Sequence, residues 1–389
     1  MTEAALTQKA ITVTRQAESA FCKFLSANDS GETGGHQVGI LISRSAGRMF
    51  FCERELRDNH ILKKPVRVKW QDDFFTDSCL TWYASKKELR LTRFGRSFSL
   101  LQAKYTGALF VLAKESDVDY AAFLFDTEDA IQQYLDAFGL TPAETNCLVQ
   151  SNAASLELQE DAAIAQFISH LTMDFPSSYE MARAAREIIA QNQPFHVTKN
   201  PDQSLLDWIQ MEYRLFRTIE HDRYGGIVTA GFSTVDDFLT LANKILNRRK
   251  SRAGKSLEHH LAALFDAYSI VYTAQGITEG KKKPDFLFPS AEKYHDISFP
   301  TEKLCTLAAK TTCKDRWRQV LNEANRLRSK PKYLCTLQQG ISSAQMDEMQ
   351  EECVVLVVPK PYIKTFPRTR QNRIWTIHKF VSYIKELQS

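Results

Sequence analysis

The stretch KKKPDFLFPSAEKYHD (281–296), followed ten residues later by LAAKTTCKDRWRQVLNEANRL (307–327), decides the fold of the C-terminal half. Asp285 opens one apolar run, and Lys310 closes another 25 residues on. If the runs are neighbouring strands, a carboxylate and an ammonium meet at one sheet edge. Phosphodiester cleavage needs those parts: a carboxylate holds Mg²⁺, and a lysine orients or helps deprotonate the attacking water. Working outward, SIVYTAQ (269–275), DFLFP (285–289), KLCTLAAK (303–310), YLCTL (333–337) and VVLVVP (354–359) read as strands, with a helix at 315–328 between the third and fourth. Helical patterns near 179–191, 204–221, 233–247 and 256–267 precede the set. Strands alternating with helices predict an α/β C-terminal domain.

Upstream the pattern changes. VGILIS (38–43), VRVKW (66–70), LTWYAS (80–85), LRLTRF (89–94), ALFVLA (108–113) and YAAFLF (120–125) are short β-type runs broken by turn residues, the signature of a barrel or sandwich. Helical AIQQYLDAF (130–138) and AAIAQFISHLTM (162–173) follow. FPSS (175–178) marks a turn, so the chain divides into 1–172 and 173–389. A length of 389 residues fits two domains.

The composition, 43% hydrophobic and 25% charged, is that of a folded globular protein. No apolar run nears the ~20 residues of a membrane span, and no signal peptide is evident. Eight scattered cysteines form no CxxC pair, which argues against structural zinc and suits a reducing cytoplasm. Residues 1–104 hold 17 Lys/Arg against 11 Asp/Glu, 105–172 hold 1 against 11, and 173–389 hold 32 against 24. Two basic blocks around an acidic one offer two surfaces for a polyanion, or a groove that the acidic block covers. On charge alone, solvated surface charge explains the pattern as well.

Pro284-Asp285 and Lys310 resemble the PD-(D/E)XK nuclease motif, with one departure: the acid expected two residues before the lysine is Ala308. NRRKSRAGKSLEHHL (247–261), ITEGKKKPDFLFPSAEKYHD (277–296) and AAKTTCKDRWRQVLNEA (308–324) resemble EcoRII-type restriction endonucleases (type IIE) in order and spacing, across most of 200–340. In that branch the second acid moves to the following helix, here Glu323. The resemblance implies Asp285 and Glu323 as Mg²⁺ ligands, Lys310 as catalytic lysine, Glu258 as a further acid beside the metal and Tyr294 beside the site. As residues alone, the last two read equally as a surface acid and a packing aromatic.

Lys314-Asp315-Arg316 then corresponds to the family's base-reading triplet: an acid accepts from cytosine N4, and Arg or Lys donates to guanine O6 and N7. Arg248, Arg249, Lys250, Arg252, Lys255 and Arg318 suit phosphate contact. Tyr213 matches a tyrosine that stacks on a flipped base, but Ile209 stands where relatives carry its partner arginine. SANDSGETGGHQVG (26–39), LRLTRFGRSFSLLQ (89–102) and TGAL (106–109) resemble the family's effector domain, a B3-like β-barrel. There His36, Lys86, Glu88 and Arg90 match DNA-contact positions, Arg93 and Arg96 suit phosphate, and Leu89 replaces a basic contact.

Together these imply a multidomain chain: an N-terminal B3-like pseudobarrel with flanking helices and a C-terminal α/β restriction-endonuclease-like domain. The expected activity is a Mg²⁺-dependent double-strand cut at a short CC…GG, CCNGG-like site, by a homodimer. The N-terminal domain would bind an effector copy of the site, so that two or more sites are engaged, and would autoinhibit the nuclease. A bacterial cytoplasmic setting, a cognate DNA methyltransferase as genetic partner only, and no membrane follow from the same resemblance. Two other readings stay open: a B3-like regulator with an inactive nuclease fold, which Ala308 favours, and a structure-specific repair nuclease, which the 314–316 triplet opposes.

Overall fold

The structure is a computed structural model that describes residues 2–32, 39–52, 55–56, 60–95, 98–149, 158–192, 197–314 and 316–389. It opens with a helix that the sequence reading passed over, α1 (Glu3–Gln16), capped by the Thr2 side chain. The strands β1 (Ser19–Phe24), β2 (Ile40–Ile42), β3 (Leu62–Trp70), β4 (Phe75–Tyr83), β5 (Glu88–Thr92), β6 (Leu109–Lys114) and β7 (Asp119–Phe125) follow, then α2 (Glu128–Phe138) and the two-residue β8 (Cys147–Leu148). The eight strands form one sheet in the order β2-β5-β4-β3-β7-β6-β1-β8, antiparallel except for β3 beside β7. Alternation decides what each face does. Phe110 and Leu112 point into a core shared with Phe21, Ile40, Val68, Trp82 and Leu91, while Leu109, Val111 and Phe123 pack under α1 and α2. One core collects residues from β1 and β2, near opposite ends of the sheet, so the sheet curls around it.

The second unit begins with α3 (Leu158–Ser169), α4 (Ser178–Asn192) and two long helices, α5 (Pro201–Ala230) and α6 (Val235–Ala267). Ile164 of α3 packs in the same apolar cluster as α4, α5 and α6. Of the helices expected at 233–247 and 256–267, the structure makes one continuous α6. Then come β9 (Thr273–Ala274), β10 (Phe286–Phe288), α7 (Ala291–His295), β11 (Cys305–Lys310), β12 (Lys332–Thr336), α8 (Ser343–Glu351), β13 (Val354–Val357) and α9 (Ile377–Gln388). Their sheet runs β13-β12-β11-β10-β9, parallel from β11 to β13 and antiparallel at β10 and β9. Leu307 and Ala309 face α5, α6 and α9, whereas Ala308 and Leu334 face Trp317, Val320 and α8. The sheet is thus a middle layer between two apolar layers, the α/β plan expected.

Two expectations change. The helix predicted at 315–328 is a pair of 3₁₀ turns, Arg316–Asn322 and Asn325–Leu327. Side chains take the backbone groups that a helix would use. Glu279 accepts from the amides of Asn325 and Arg326, and the Thr278 hydroxyl donates to the Glu323 carbonyl. The strand predicted at 269–275 shrinks to two residues because Ser269 (φ 56°) and Gln275 (φ 52°) turn the backbone into the left-handed region at both ends.

The two units touch over a wide front. Gly107 (φ 82°) and Gly340 (φ 98°) meet backbone to backbone, and a Cβ on Gly107 would fall 2.1 Å from the Gly340 carbonyl oxygen. Gln338 Nε2 donates to the Gly107 carbonyl at 2.9 Å. The glycine of TGAL is therefore a close-approach residue.

Candidate active site

Asp285 sits just before β10, opposite β11, with 6% of its surface exposed. Its Oδ2 accepts from Lys310 Nζ at 2.9 Å and from the Ala309 amide at 2.8 Å. Its Oδ1 accepts from Gln275 Nε2 at 2.9 Å, and the same nitrogen donates to Glu258 Oε2 at 3.1 Å. Antiparallel pairing thus delivers the carboxylate–ammonium contact expected from the spacing. Glu258 comes from α6, and Lys255 donates to both of its oxygens at 3.0 and 3.2 Å.

Glu323 follows the first 3₁₀ turn. Burial pushes its carboxyl up to about 7, Asp285 pushes the same way, and Lys310 opposes them. Ala308, whose position would carry an acid in the common motif, is 1% exposed in an apolar cluster, where a carboxylate would lie among Val320, Trp317 and Leu334.

The donor set is oxygen only, which fits a hard divalent cation such as Mg²⁺. Among the described residues no three Asp, Glu, His or Cys side chains converge into a ready-made cage.

Tyr294 is not drawn into this cluster by any hydrogen bond described. Its hydroxyl donates to Glu279 Oε2 at 2.6 Å and accepts from the Arg326 amide at 3.2 Å, bracing the second 3₁₀ turn. Spacing gave no sign of Gln275, nor of Glu279 as the side chain that fixes the Glu323 segment.

Four of the residues expected to meet DNA, Lys314, Arg316, Arg249 and Arg252, are engaged by the N-terminal unit. Lys314 pairs with Asp126. Glu128, on the first turn of α2 and 2% exposed, accepts from Thr312 Oγ1 at 2.7 Å and from the Arg316 amide at 2.9 Å. Arg316 Nε lies 3.2 Å from its other oxygen. Arg249 donates to Glu220 and to the Ala137 carbonyl at 2.6 Å. Arg252, 3% exposed, donates to the Gly139 carbonyl at 3.1 Å, lies 3.8 Å from Glu144 and packs over Tyr213 and Phe216. Arg248 pairs with Asp174, Arg318 with Glu348, and Lys250 is exposed. Ile209 is fully buried, and Tyr213 is half-buried with its hydroxyl pushed up to about 12 by burial.

In the N-terminal unit Lys86 and Arg93 are exposed, and Glu88 and Arg90 pair at 3.3 Å. Leu89 is fully buried, its side chain in the curled-sheet core. His36, Arg96 and Asp315 lie outside the described residues.

Comparison with known proteins gives these sites their context. A family model described as EcoRII C terminal matches residues 216–381, and one described as restriction endonuclease EcoRII, N-terminal, matches residues 14–151. The type II restriction enzyme EcoRII of Escherichia coli is 37% identical over 393 residues, with 94% of each chain covered. The type II restriction enzyme SsoII of Shigella sonnei is 30% identical over 148 residues, 36% of this chain and 47% of that protein. Among solved structures, metal-depleted Ecl18kI in complex with uncleaved, modified DNA aligns at TM-score 0.47 and 20% identity, covering 59% of this chain and 84% of that one. A PspGI–substrate DNA complex aligns at 0.44 and 16%, covering 55% and 93%. The chain is a restriction endonuclease of type II. It belongs to the EcoRII family.

Proposed function

We propose that this enzyme makes Mg²⁺-dependent double-strand cuts at a short CC…GG, CCNGG-like site and that its N-terminal unit, a B3-like DNA-binding domain, holds the nuclease shut until it binds a second copy of that site. The observation that carries the chemistry is the Asp285 carboxylate tied to Lys310 Nζ at 2.9 Å where β10 and β11 pair, with Lys310 four residues ahead of the 314–316 triplet. Asp285 and Glu323 would hold the cation, which supplies Lewis-acid activation of the phosphate when bound. Lys310 orients the water that attacks phosphorus and steadies the charge on Asp285.

Lys314, Asp315 and Arg316 would read the outer pairs in the major groove. The pairing of Lys314 with Asp126 and of Arg316 with Glu128 supports the closed state, because these carboxylates engage groups that would otherwise be free to meet DNA. A homodimer supplies the second active site for the opposite strand. The α5–α6 hairpin supports it, because Val235, Phe238 and Leu239 are exposed near its tip.

The test is cleavage of methylation-free plasmid carrying several CCNGG sites, in Mg²⁺ and in EDTA, beside Lys310→Ala. Discrete Mg²⁺-dependent fragments lost in the variant are expected, and sequenced ends give the site. Intact DNA under all conditions, also after removal of the N-terminal unit, would refute the nuclease assignment.

A further inference from the structure

Gln275 joins two acids from different parts of the chain. One amide nitrogen donates to Asp285 Oδ1 at 2.9 Å and to Glu258 Oε2 at 3.1 Å, so strand-edge aspartate and α6 glutamate share one donor. The chemistry fixes which end of the carboxamide faces them, since its oxygen would meet two acceptors. The backbone is equally committed: the Gln275 amide donates to the Asp285 carbonyl at 3.0 Å.

Gln275 has φ 52°, in the left-handed region that favours glycine. The next residue, Gly276, is clamped: a Cβ there would lie 3.3 Å from Ala291 Cβ and 3.3 Å from Thr273 Cγ2. A long side chain kept in a glycine conformation beside a packed glycine points to a task for that side chain. Two carboxylates brought to one site repel, and each gains from a donor that neutralises the repulsion without binding covalently. Lys310 serves Asp285 and Lys255 serves Glu258, but only Gln275, among the described residues, is shown bonded to both.

We infer that Gln275 is a positioning residue that sets the separation of Glu258 and Asp285 and so recruits Glu258 to the cation site. This rests on the metal-nuclease reading above. Without Gln275, Glu258 swings toward Lys255 and solvent, Asp285 keeps Lys310, and the cation loses one of its oxygen neighbours.

The experiment titrates Mn²⁺ alone into the DNA-free full chain by calorimetry, for wild type, Gln275→Ala, Gln275→Gly and Asp285→Asn. Loss of an orienting partner typically weakens metal binding about 10- to 100-fold. Both Gln275 variants are expected to lose affinity in that range, and Asp285→Asn to lose binding. In cleavage, the Gln275 variants need more Mn²⁺ for half-maximal rate but recover most of the rate at saturation. Gln275→Gly relieves the backbone while removing the amide, so its melting temperature should not fall below that of wild type, which separates positioning from folding. If Asp285→Asn loses Mn²⁺ while both Gln275 variants bind as wild type does, the inference fails and the nuclease reading stands. If wild type takes up no Mn²⁺, or Asp285→Asn binds it as tightly, the assignment of a cation to Asp285 fails and the inference with it.

Discussion

Replacing Glu128 by alanine should release the nuclease from its own N-terminal unit. Its carboxylate takes the Thr312 hydroxyl at 2.7 Å and the Arg316 amide at 2.9 Å, and lies 3.2 Å from Arg316 Nε. The carboxylate side chain is only 3% exposed. A hydrogen bond to a charged group contributes about 1.5–3 kcal/mol net, and contacts sharing one carboxylate do not add fully. Roughly 3 kcal/mol for the group is a fair sum, which shifts the ratio of closed to open enzyme about 100-fold. Asp126, 44% exposed, is a different case: its pair with Lys314 is near the surface and contributes about 1 kcal/mol or less. Cleavage of a DNA carrying a single recognition site, with no second copy present, measures the difference. Glu128→Ala should raise that rate by one to two orders of magnitude, with Asp126→Asn giving a few-fold increase at most. Arg316 is freed rather than lost, so site preference should be unchanged. If Glu128→Ala lowers the melting temperature but leaves single-site cleavage at the wild-type rate, the contact is structural and the latch argument fails.

Other outcomes follow from the same geometry. Lys310→Ala should lower cleavage at least about 100-fold while gel-shift affinity for the site persists; equal loss of both would point to misfolding instead. The Glu212 carboxylate is buried between His260 at 2.7 Å and Ser256 at 2.8 Å, so Glu212→Ala should destabilise by about 1–3 kcal/mol for each buried donor left unpaired, read by denaturant unfolding. Burial raises Glu144 from its ordinary 4.5 to about 7, so its contribution to stability is full below about 4.5 and is lost as pH rises toward 7. Melting curves between pH 5 and 8 should therefore fall more steeply for wild type than for Glu144→Gln; parallel slopes would remove Glu144 from that account. Leu89→Ala, in the N-terminal core, should lower stability by about 2–5 kcal/mol by calorimetry.

The legible parts of this chain were those governed by spacing along one element. Asp285 opens one run of apolar residues and Lys310 closes another, and the pairing of β10 with β11 brings them together as strand geometry requires. The runs at 66–70, 80–85, 108–113 and 120–125 all appear as strands because each alternates or fills both faces. What sequence could not carry is the partner of each polar group. The 315–328 segment has helical periodicity, yet Glu279 and Thr278, more than 40 positions earlier, take its backbone groups and make 3₁₀ turns. Arg249 and Arg252 look like a solvated basic run, and only folding shows that Ala137, Gly139 and Glu144 of the other unit receive them. Gln275 has no motif around it, since its two partners lie 17 residues before it and 10 after.

Helix α6 runs for 33 residues, about 50 Å at 1.5 Å per residue. Along that one rod lie an apolar tip, the arginines gripped by the N-terminal unit and, about 9 Å beyond Arg252, the acid beside Asp285. A stiff beam passes a push at one station to the others with little delay or loss. If the tip assembles, the N-terminal unit restrains and Glu258 joins the cation site as proposed, the three are mechanically one part, and a tilt of α6 on release would register at Glu258 with no messenger between them.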